Sequence, residues 1–112
     1  MRPPRLNRPL VLEEAVRHAD GLGGYGGGWA ALGTLWAEVL ALGGRDVAAD
    51  QLLVSTTRYR ITVRAAAPGA PSRPRPDQRF REGGRLFRIL AVAERDAAGR
   101  YLTCYAEEEV AT

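Results

Sequence analysis

The chain has 112 residues, 46% of them hydrophobic, so it can bury a core as one domain without disulfides or structural metal. Its one cysteine, Cys104, excludes an intramolecular disulfide framework and a cysteine-rich zinc site. The formal net charge is +3, and all sixteen basic residues are arginine. The start of the chain lacks the apolar run of a signal peptide, and no apolar stretch could span a bilayer. We therefore expect a soluble protein made inside a cell.

The first third of the chain predicts an arm, a strand and a loop. Residues Met1–Pro9 are rich in proline and arginine, which is typical of a flexible or extended arm. Apolar residues alternate through Leu10–His18, which predicts a strand. Six glycines follow within Asp20–Gly28, where the lysine of a P-loop is missing. Because ordering so much glycine costs conformational entropy, this segment is predicted to be a mobile loop.

The segment Trp29–Leu42 fits two kinds of secondary structure. Its bulky apolar residues match a helical stripe, and its alanines and leucines favour helix. A Gly-Thr pair interrupts that stripe, and Leu32, Trp36 and Leu40 also share the parity of a strand. Pattern alone favours the helix. After two glycines, Asp46 is a suitable cap for a short helix from Val47 to about Leu52.

The middle of the chain contains the clearest strand pattern. Within Ser55–Arg64 an apolar face of Tyr59, Ile61 and Val63 alternates with a face that carries three arginines. This pattern predicts a half-buried strand in a sheet with one wet side. The proline-rich segment Ala65–Pro76 that follows has little to bury, and it is predicted to be an extended, exposed loop.

The last third of the chain predicts two more strands. Apolar residues occupy both parities of Arg85–Glu94, which indicates a strand buried on much of both faces. A turn at Asp96–Gly99 leads to a final strand at Tyr101–Ala106. Six short segments joined by glycine and proline turns indicate a mainly β protein, a small antiparallel barrel or sandwich.

No group of residues in the sequence suggests catalysis. Glu13 and Glu14 point to opposite faces of a strand, so they cannot act as a pair on one substrate. His18 stands alone, and Cys104 has no histidine partner that the sequence implies. We therefore expect no enzyme activity, no cofactor and no metal. The charge instead separates into a basic segment, Arg73–Arg88, and an acidic run, Glu107–Glu109, which suits head-to-tail self-association, nearby nucleic acid, or simply a solvated surface.

The order of these segments resembles the phage head–tail joining, or head-closure (stopper), proteins, over residues 10 to 108. Each motif is weak alone, and the order and spacing carry the resemblance. The matching stretches are the first strand Leu10–His18, Asp20-Gly21 with Gly23-Gly24, Trp29, Leu35-Trp36-Ala37-Glu38, Gly44-Arg45-Asp46, Tyr59–Arg64, Gly83–Ile89 and Cys104–Glu107.

The resemblance implies a small antiparallel β-barrel of about six strands with one short helix and long mobile loops, in which Trp29–Leu42 is a strand. It divides the chain into an arm (1–9), a barrel (10–108) and a tail (109–112). It also implies a virion protein, of a phage or a gene transfer agent, made in the bacterial cytoplasm. Copies would form a six- or twelve-fold ring below the portal and adaptor, retain the double-stranded DNA that passes through, and join the tail terminator or tail tube protein.

Two groups of candidate residues follow from this role. A subunit or adaptor interface would use arginine–carboxylate pairs, from Arg73, Arg75, Arg79, Arg81, Arg85, Glu107, Glu108 and Glu109. The family's corresponding loop can close the channel, which suggests a channel-facing loop here made of Gly43, Gly44, Arg45, Asp46 and Asp50. The two aspartates would repel phosphates.

Two other functions stay open. One is a nucleic-acid-binding module of the small-barrel type, which stacks bases on exposed aromatic residues. Tyr59 and Phe87 are in apolar register and are expected to face the core, which speaks against such a platform. The other is a tail-completion protein with a similar barrel.

Overall fold

Six antiparallel strands make up the regular part of the molecule, as the computed structural model shows. The structure describes residues 2–19, 25–42 and 57–109. The strands are β1 (Arg8–Ala19), β2 (Tyr25–Ala41), β3 (Arg58–Arg64), β4 (Arg79–Glu82), β5 (Arg85–Glu94) and β6 (Tyr101–Glu109). The predicted helix at Val47–Leu52 and the predicted channel-facing loop lie outside these described residues. Within them, no helix has the length and apolar character needed to cross a membrane.

The strands close into a barrel in the order β1-β2-β3-β6-β5-β4. Closure comes from β1 and β4, where Leu12 lies opposite Phe80. A closed sheet has no unpaired edge around its circumference, which satisfies the backbone groups of a small all-β domain. The prediction of a small antiparallel barrel of about six strands is confirmed.

Alternate residues along each strand point into the barrel, and every strand except the short β4 contributes more than one such residue. On β3, Ile61 and Val63 are buried while Arg60 and Arg64 are exposed, as the alternation predicts. Phe87 on β5 is fully buried, and its ring meets that of half-buried Tyr59 edge to face at 5.2 Å. The core residues are Leu10, Leu12, Ala37, Ile61, Val63, Phe80, Phe87, Ile89, Leu102, Cys104 and Ala106.

The segment Trp29–Leu42 is a strand and not the helix that its pattern alone favours. Leu35, Ala37 and Val39 turn toward the core, while Trp36 is 57% exposed. The helical stripe was misleading because it counted Trp36 among the buried residues. Gly33, with a φ of 147°, lies beside an irregularity in the β1–β2 register and accommodates the extra residue of β2.

The predicted glycine loop is shorter than expected. Tyr25–Gly28 already belong to β2 and pair with Val16–Ala19 of β1, so the prediction of a loop is wrong for them. Pairing across the hairpin stabilises these glycines in spite of their entropy cost, which composition alone does not show. The rest of the segment, residues 20 to 24, lies outside the described residues.

Strand β5 is buried mainly on one face, so the prediction of burial on both faces is wrong. Phe87 and Ile89 are buried, whereas Arg88 and Leu90 are exposed. A register shift between Ile89 and Ala91 changes the parity of its second half, so that Ala91 and Ala93 are exposed while Val92 packs against the core.

The proline-rich segment Ala65–Pro76 folds into successive turns and is not extended. The Ala70 amide donates to the Ala67 carbonyl at 3.0 Å, and the Arg73 guanidinium donates to the Ala66 carbonyl at 2.9 Å. Pro74 is buried. The prediction of an extended loop is therefore wrong, because prolines with a fixed φ also suit tight turns, whereas most of the segment is exposed as predicted.

Candidate functional site

Two of the predicted interface arginines hold a buried carboxylate of their own chain. Glu13 on β1 is only 6% exposed. Its two oxygens accept hydrogen bonds from Arg79 Nε at 2.8 Å and Arg81 Nε at 2.9 Å, both on β4. The Arg79 guanidinium also lies 4.0 Å from the centre of the Trp29 ring, a cation–π contact. This cluster fastens β1, β2 and β4 together where the barrel closes.

A second cluster brings together two more predicted interface residues, Arg85 and Glu108. Arg85 Nε donates to Glu108 Oε2 at 2.9 Å, and the hydroxyl of Tyr59 donates to Glu108 Oε1 at 3.0 Å. Arg85 Nη2 also donates to the Tyr59 hydroxyl at 3.2 Å. Nearby, Arg8 on β1 pairs with Glu82 on β4. The spacing of residues in the sequence did not predict that Arg85, Glu108 and Tyr59, on β5, β6 and β3, would meet within one subunit.

The remaining predicted interface residues lie closer to the surface. Arg75 pairs with Glu14, and Glu107 lies 3.9 Å from Arg58. Arg73 is half-buried, and Glu109 is exposed at the end of β6. The structure thus separates the predicted set into residues that stabilise the subunit and residues that a neighbour could reach.

The carboxylates at the centre of the two clusters, Glu13 and Glu108, have pKa values below the ordinary value of 4.5. Burial raises the pKa of Glu13, but the hydrogen bonds from Arg81 and Arg79 outweigh it and hold the pKa below the ordinary 4.5. The hydrogen bond from Arg85 is the main reason that the pKa of Glu108 is also lowered. Both groups therefore remain charged in the folded state at neutral pH.

A polar row on the outer face of the sheet is covered by the start of the chain. Glu38, Thr62 and Thr103 are paired neighbours on β2, β3 and β6, and all three are buried. The Arg5 amide donates to Glu38 Oε2 at 2.9 Å, and the Arg2 carbonyl accepts a hydrogen bond from Arg95 beyond β5. The segment from residue 2 to 7 therefore crosses this face, which explains why an outward-facing row is buried. The predicted arm is fastened at both of these points.

These contacts position structural side chains and bring no catalytic group together. No set of three His, Cys, Asp or Glu side chains in the described residues could hold a metal ion. A model for the phage head completion protein family matches residues 1–109. The chain belongs to that family. Its role is that of a structural protein of the head–tail connector in a phage-like particle.

Solved structures agree with this membership. A chain of the structure titled "Virion of native gene transfer agent (GTA) particle" is 58% identical, with a TM-score of 0.81, and the match covers 98% of this chain and 100% of that one. A Shigella flexneri 2a protein known from its solution structure is 20% identical over the whole of both chains, with a TM-score of 0.71, and shares the fold. A search of curated proteins finds no match.

The sequence did not predict one surface feature of this head completion protein, an exposed row of three large apolar side chains with an arginine among them. Leu40 on β2 is paired with Arg60 on β3, which in turn is paired with Tyr105 on β6. Leu90 on β5 adjoins the row, and all four side chains are exposed. The structure gives no ion pair to Arg60 among the described residues. The alternation along β3 predicted that Arg60 lies outside. That the other members lie beside it depends on the register of four strands, which the sequence does not give.

The cysteine of this head completion protein should resist thiol reagents in the native subunit. Burial raises the pKa of the Cys104 thiol to about 12, so almost no thiolate is present at neutral pH. We expect an aromatic disulfide reagent to label Cys104 only after denaturant unfolds the barrel. Labelling that is equally fast with and without denaturant would contradict the buried position of β6.

Proposed function

We propose that copies of this protein form a ring between the portal–adaptor assembly and the tail, that the ring retains packaged DNA, and that it supports tail attachment without any catalysis. The observation that carries the proposal is the 58% identity to a chain of a native gene transfer agent virion, over 98% of this chain. A closed barrel suits a ring subunit because its outer surface is rigid and can contact several neighbouring proteins at the same time.

The channel-facing role of the connection between β2 and β3 is proposed from the family resemblance. The two ends of that connection are anchored side by side, because the Leu42 amide donates to the Arg58 carbonyl and the Glu108 amide donates to the Thr57 carbonyl, each at 2.9 Å. The predicted lumen residues belong to the connection between these two anchored ends, outside the described residues. They are Gly43, Gly44, Arg45, Asp46 and Asp50. Their side chains would then meet the DNA while the barrel stays in the wall.

The interface part of the proposal now rests on the accessible members of the predicted set. Arg75, Glu107 and Glu109 are the ones best placed to pair with a neighbouring subunit or the adaptor. Arg79, Arg81 and Arg85 would act indirectly, since their guanidiniums are engaged with Glu13 and Glu108. Reversing their charge would damage the subunit itself and would not test the interface.

Charge reversal in the β2–β3 connection tests the lumen assignment. We expect Asp46→Arg together with Asp50→Arg to leave assembly intact and to slow DNA release, because each new phosphate contact adds about 0.9 to the salt slope of binding. The measurement is the ionic-strength dependence of DNA release from assembled particles. The matched control is the pair Glu94→Arg and Asp77→Arg, two exposed carboxylates outside the connection. If the control slows release to the same degree, the connection does not face the DNA.

Native mass spectrometry with and without DNA tests the ring. Rings in the absence of DNA, or rings templated by the adaptor, support the connector. Monomers that bind single-stranded DNA would support the nucleic-acid-binding module. The aromatic side chains of Phe87 and Tyr59 do not favour that module, because Phe87 is buried and the Tyr59 hydroxyl is hydrogen-bonded to Glu108, so neither side chain is open for a base to stack on. A single copy in purified particles would contradict the ring.

A further inference from the structure

The first hairpin extends well beyond the barrel as a two-stranded ribbon, formed by residues 14–19 of β1 and 25–31 of β2. Strand β4 pairs with β1 only over Val11–Glu13, and β3 pairs with β2 only over Ala37–Ala41. No other backbone hydrogen bond reaches the ribbon from the described part of the chain. The ends of the β2–β3 connection lie at the opposite end of β2. Each outer edge of the ribbon therefore presents backbone donors and acceptors that no other described strand pairs with.

Within one subunit, the ribbon is held by its own ladder and by side-chain contacts at its base, from Arg79 to the Trp29 ring and from Arg75 to Glu14, and much of its apolar surface stays open. Trp29 is 40% exposed, Val16 is similarly exposed, and Ala15, Ala30 and Ala31 are exposed as well. An isolated two-stranded ribbon is marginal in water, and open apolar edges are templates for pairing with another chain. The ribbon has the properties of a strand pair that is completed by a neighbour.

Two glycines of the ribbon also lack a reason within the subunit. A Cβ atom added at Gly27 or Gly28 would meet nothing within 4 Å, and neither residue has a positive φ. Larger side chains would fit there and would favour the strand. Because Gly27 and Gly28 have no side chains, the backbone of another chain can approach the ribbon closely there.

We propose that the ribbons of neighbouring copies pair edge to edge, with the β2 edge of one copy hydrogen-bonded to the β1 edge of the next. The occupant is a second copy because each subunit carries both a free β1 edge and a free β2 edge. The two edges differ, so their contact is heterologous, and its repetition closes the ring proposed above when the rotation between neighbours closes. Ribbons that point the same way place β2 beside the next β1 in antiparallel orientation, the same arrangement as within the hairpin. This inference rests on the proposed ring and names the contact that builds it.

Mixed cross-linking of two single variants tests the contact. Ala15→Cys lies on β1 and Ala31→Cys on β2, on the same face of the ribbon, since Ala15 is paired with Trp29, two residues from Ala31. Rings are assembled from each variant alone and from an equal mixture, then treated with a short bismaleimide. Native Cys104 is buried and has a raised pKa, so it adds little background. Ala98→Cys, exposed in the turn between β5 and β6, is the control.

We expect the mixture to give about tenfold more cross-linked dimer than either variant alone, because only neighbouring β1 and β2 edges hold the two thiols together. A ring with no excess of dimer in the mixture overturns the ribbon contact and leaves the ring itself standing. Equal cross-linking of Ala15→Cys alone would show like edges in contact and would also overturn it. If no variant and no wild-type protein forms a ring, the proposed function fails. If only the ribbon variants fail to form rings while Ala98→Cys forms them, the ribbon is the contact.

Discussion

Phe87→Ala should lower the free energy of unfolding by about 3–5 kcal/mol, the usual cost of truncating a fully buried phenylalanine. Phe87 is 0% exposed and contacts the ring of Tyr59. The surrounding strands are joined by ladders on both sides of β5, so they cannot move inward to fill the space. The loss should appear in urea denaturation as a lower midpoint with an unchanged slope.

Leu90→Ala is the matched control for Phe87→Ala. Leu90 lies on the same strand but is 38% exposed, so its truncation removes less buried area and opens no enclosed cavity. We expect a loss of about 1 kcal/mol, well below that of Phe87→Ala. Similar losses for both variants would mean that β5 does not pack with Phe87 inward. Assembly of Leu90→Ala then reports on the exposed row in a subunit that is still folded.

Glu13→Gln should lower the free energy of unfolding by about 2–3 kcal/mol, because it leaves two guanidiniums facing a neutral group. Arg79 is the more buried of the two, and Arg81 is open enough that water replaces part of its lost interaction. The neighbouring change Glu14→Gln removes only the exposed pair with Arg75, and we expect less than about 1 kcal/mol from it. Equal effects of the two changes would show that Glu13 is not the closing contact.

The pH dependence of the Glu13→Gln effect provides a second measurement. The folded-state pKa of Glu13 lies below its ordinary value of 4.5. Its stabilisation is therefore complete above that ordinary value and is lost as the pH falls through the folded-state pKa. The difference in stability between wild type and Glu13→Gln should shrink on acidification in that range. A difference that stays constant down to the acid transition would assign the loss to packing and not to charge.

The sequence predicted what depends on neighbours along the chain. Alternation on β3 placed Ile61 and Val63 inside and Arg60 and Arg64 outside, and the structure agrees. The segment Trp29–Leu42 could not be decided in that way, because Trp36 is exposed and the side chains of a strand that extends past the barrel are not sorted by burial. Only the family resemblance indicated a strand there.

What the sequence could not predict depends on register. Arg79 and Arg81 are each more than sixty positions from Glu13, and they meet it only because β4 pairs with β1. Arg85 and Glu108 meet because β5 and β6 are neighbours in the barrel. The opposite charges that suggested contacts between subunits therefore pair within one subunit. A pattern of charge along a chain does not distinguish these two cases.

The position of the last strand has a consequence for how the subunit folds. Strand β6 lies between β3 and β5, so the sheet stays open until Tyr101–Glu109 have joined it. Until then, Ile61 on β3 and Ile89 on β5 belong to strands that lack their shared partner. Closure between β1 and β4 also spans most of the chain, and such long-range pairing slows folding relative to helical domains of equal size. Newly made subunits thus expose unpaired strands until the last part of the chain has been synthesised.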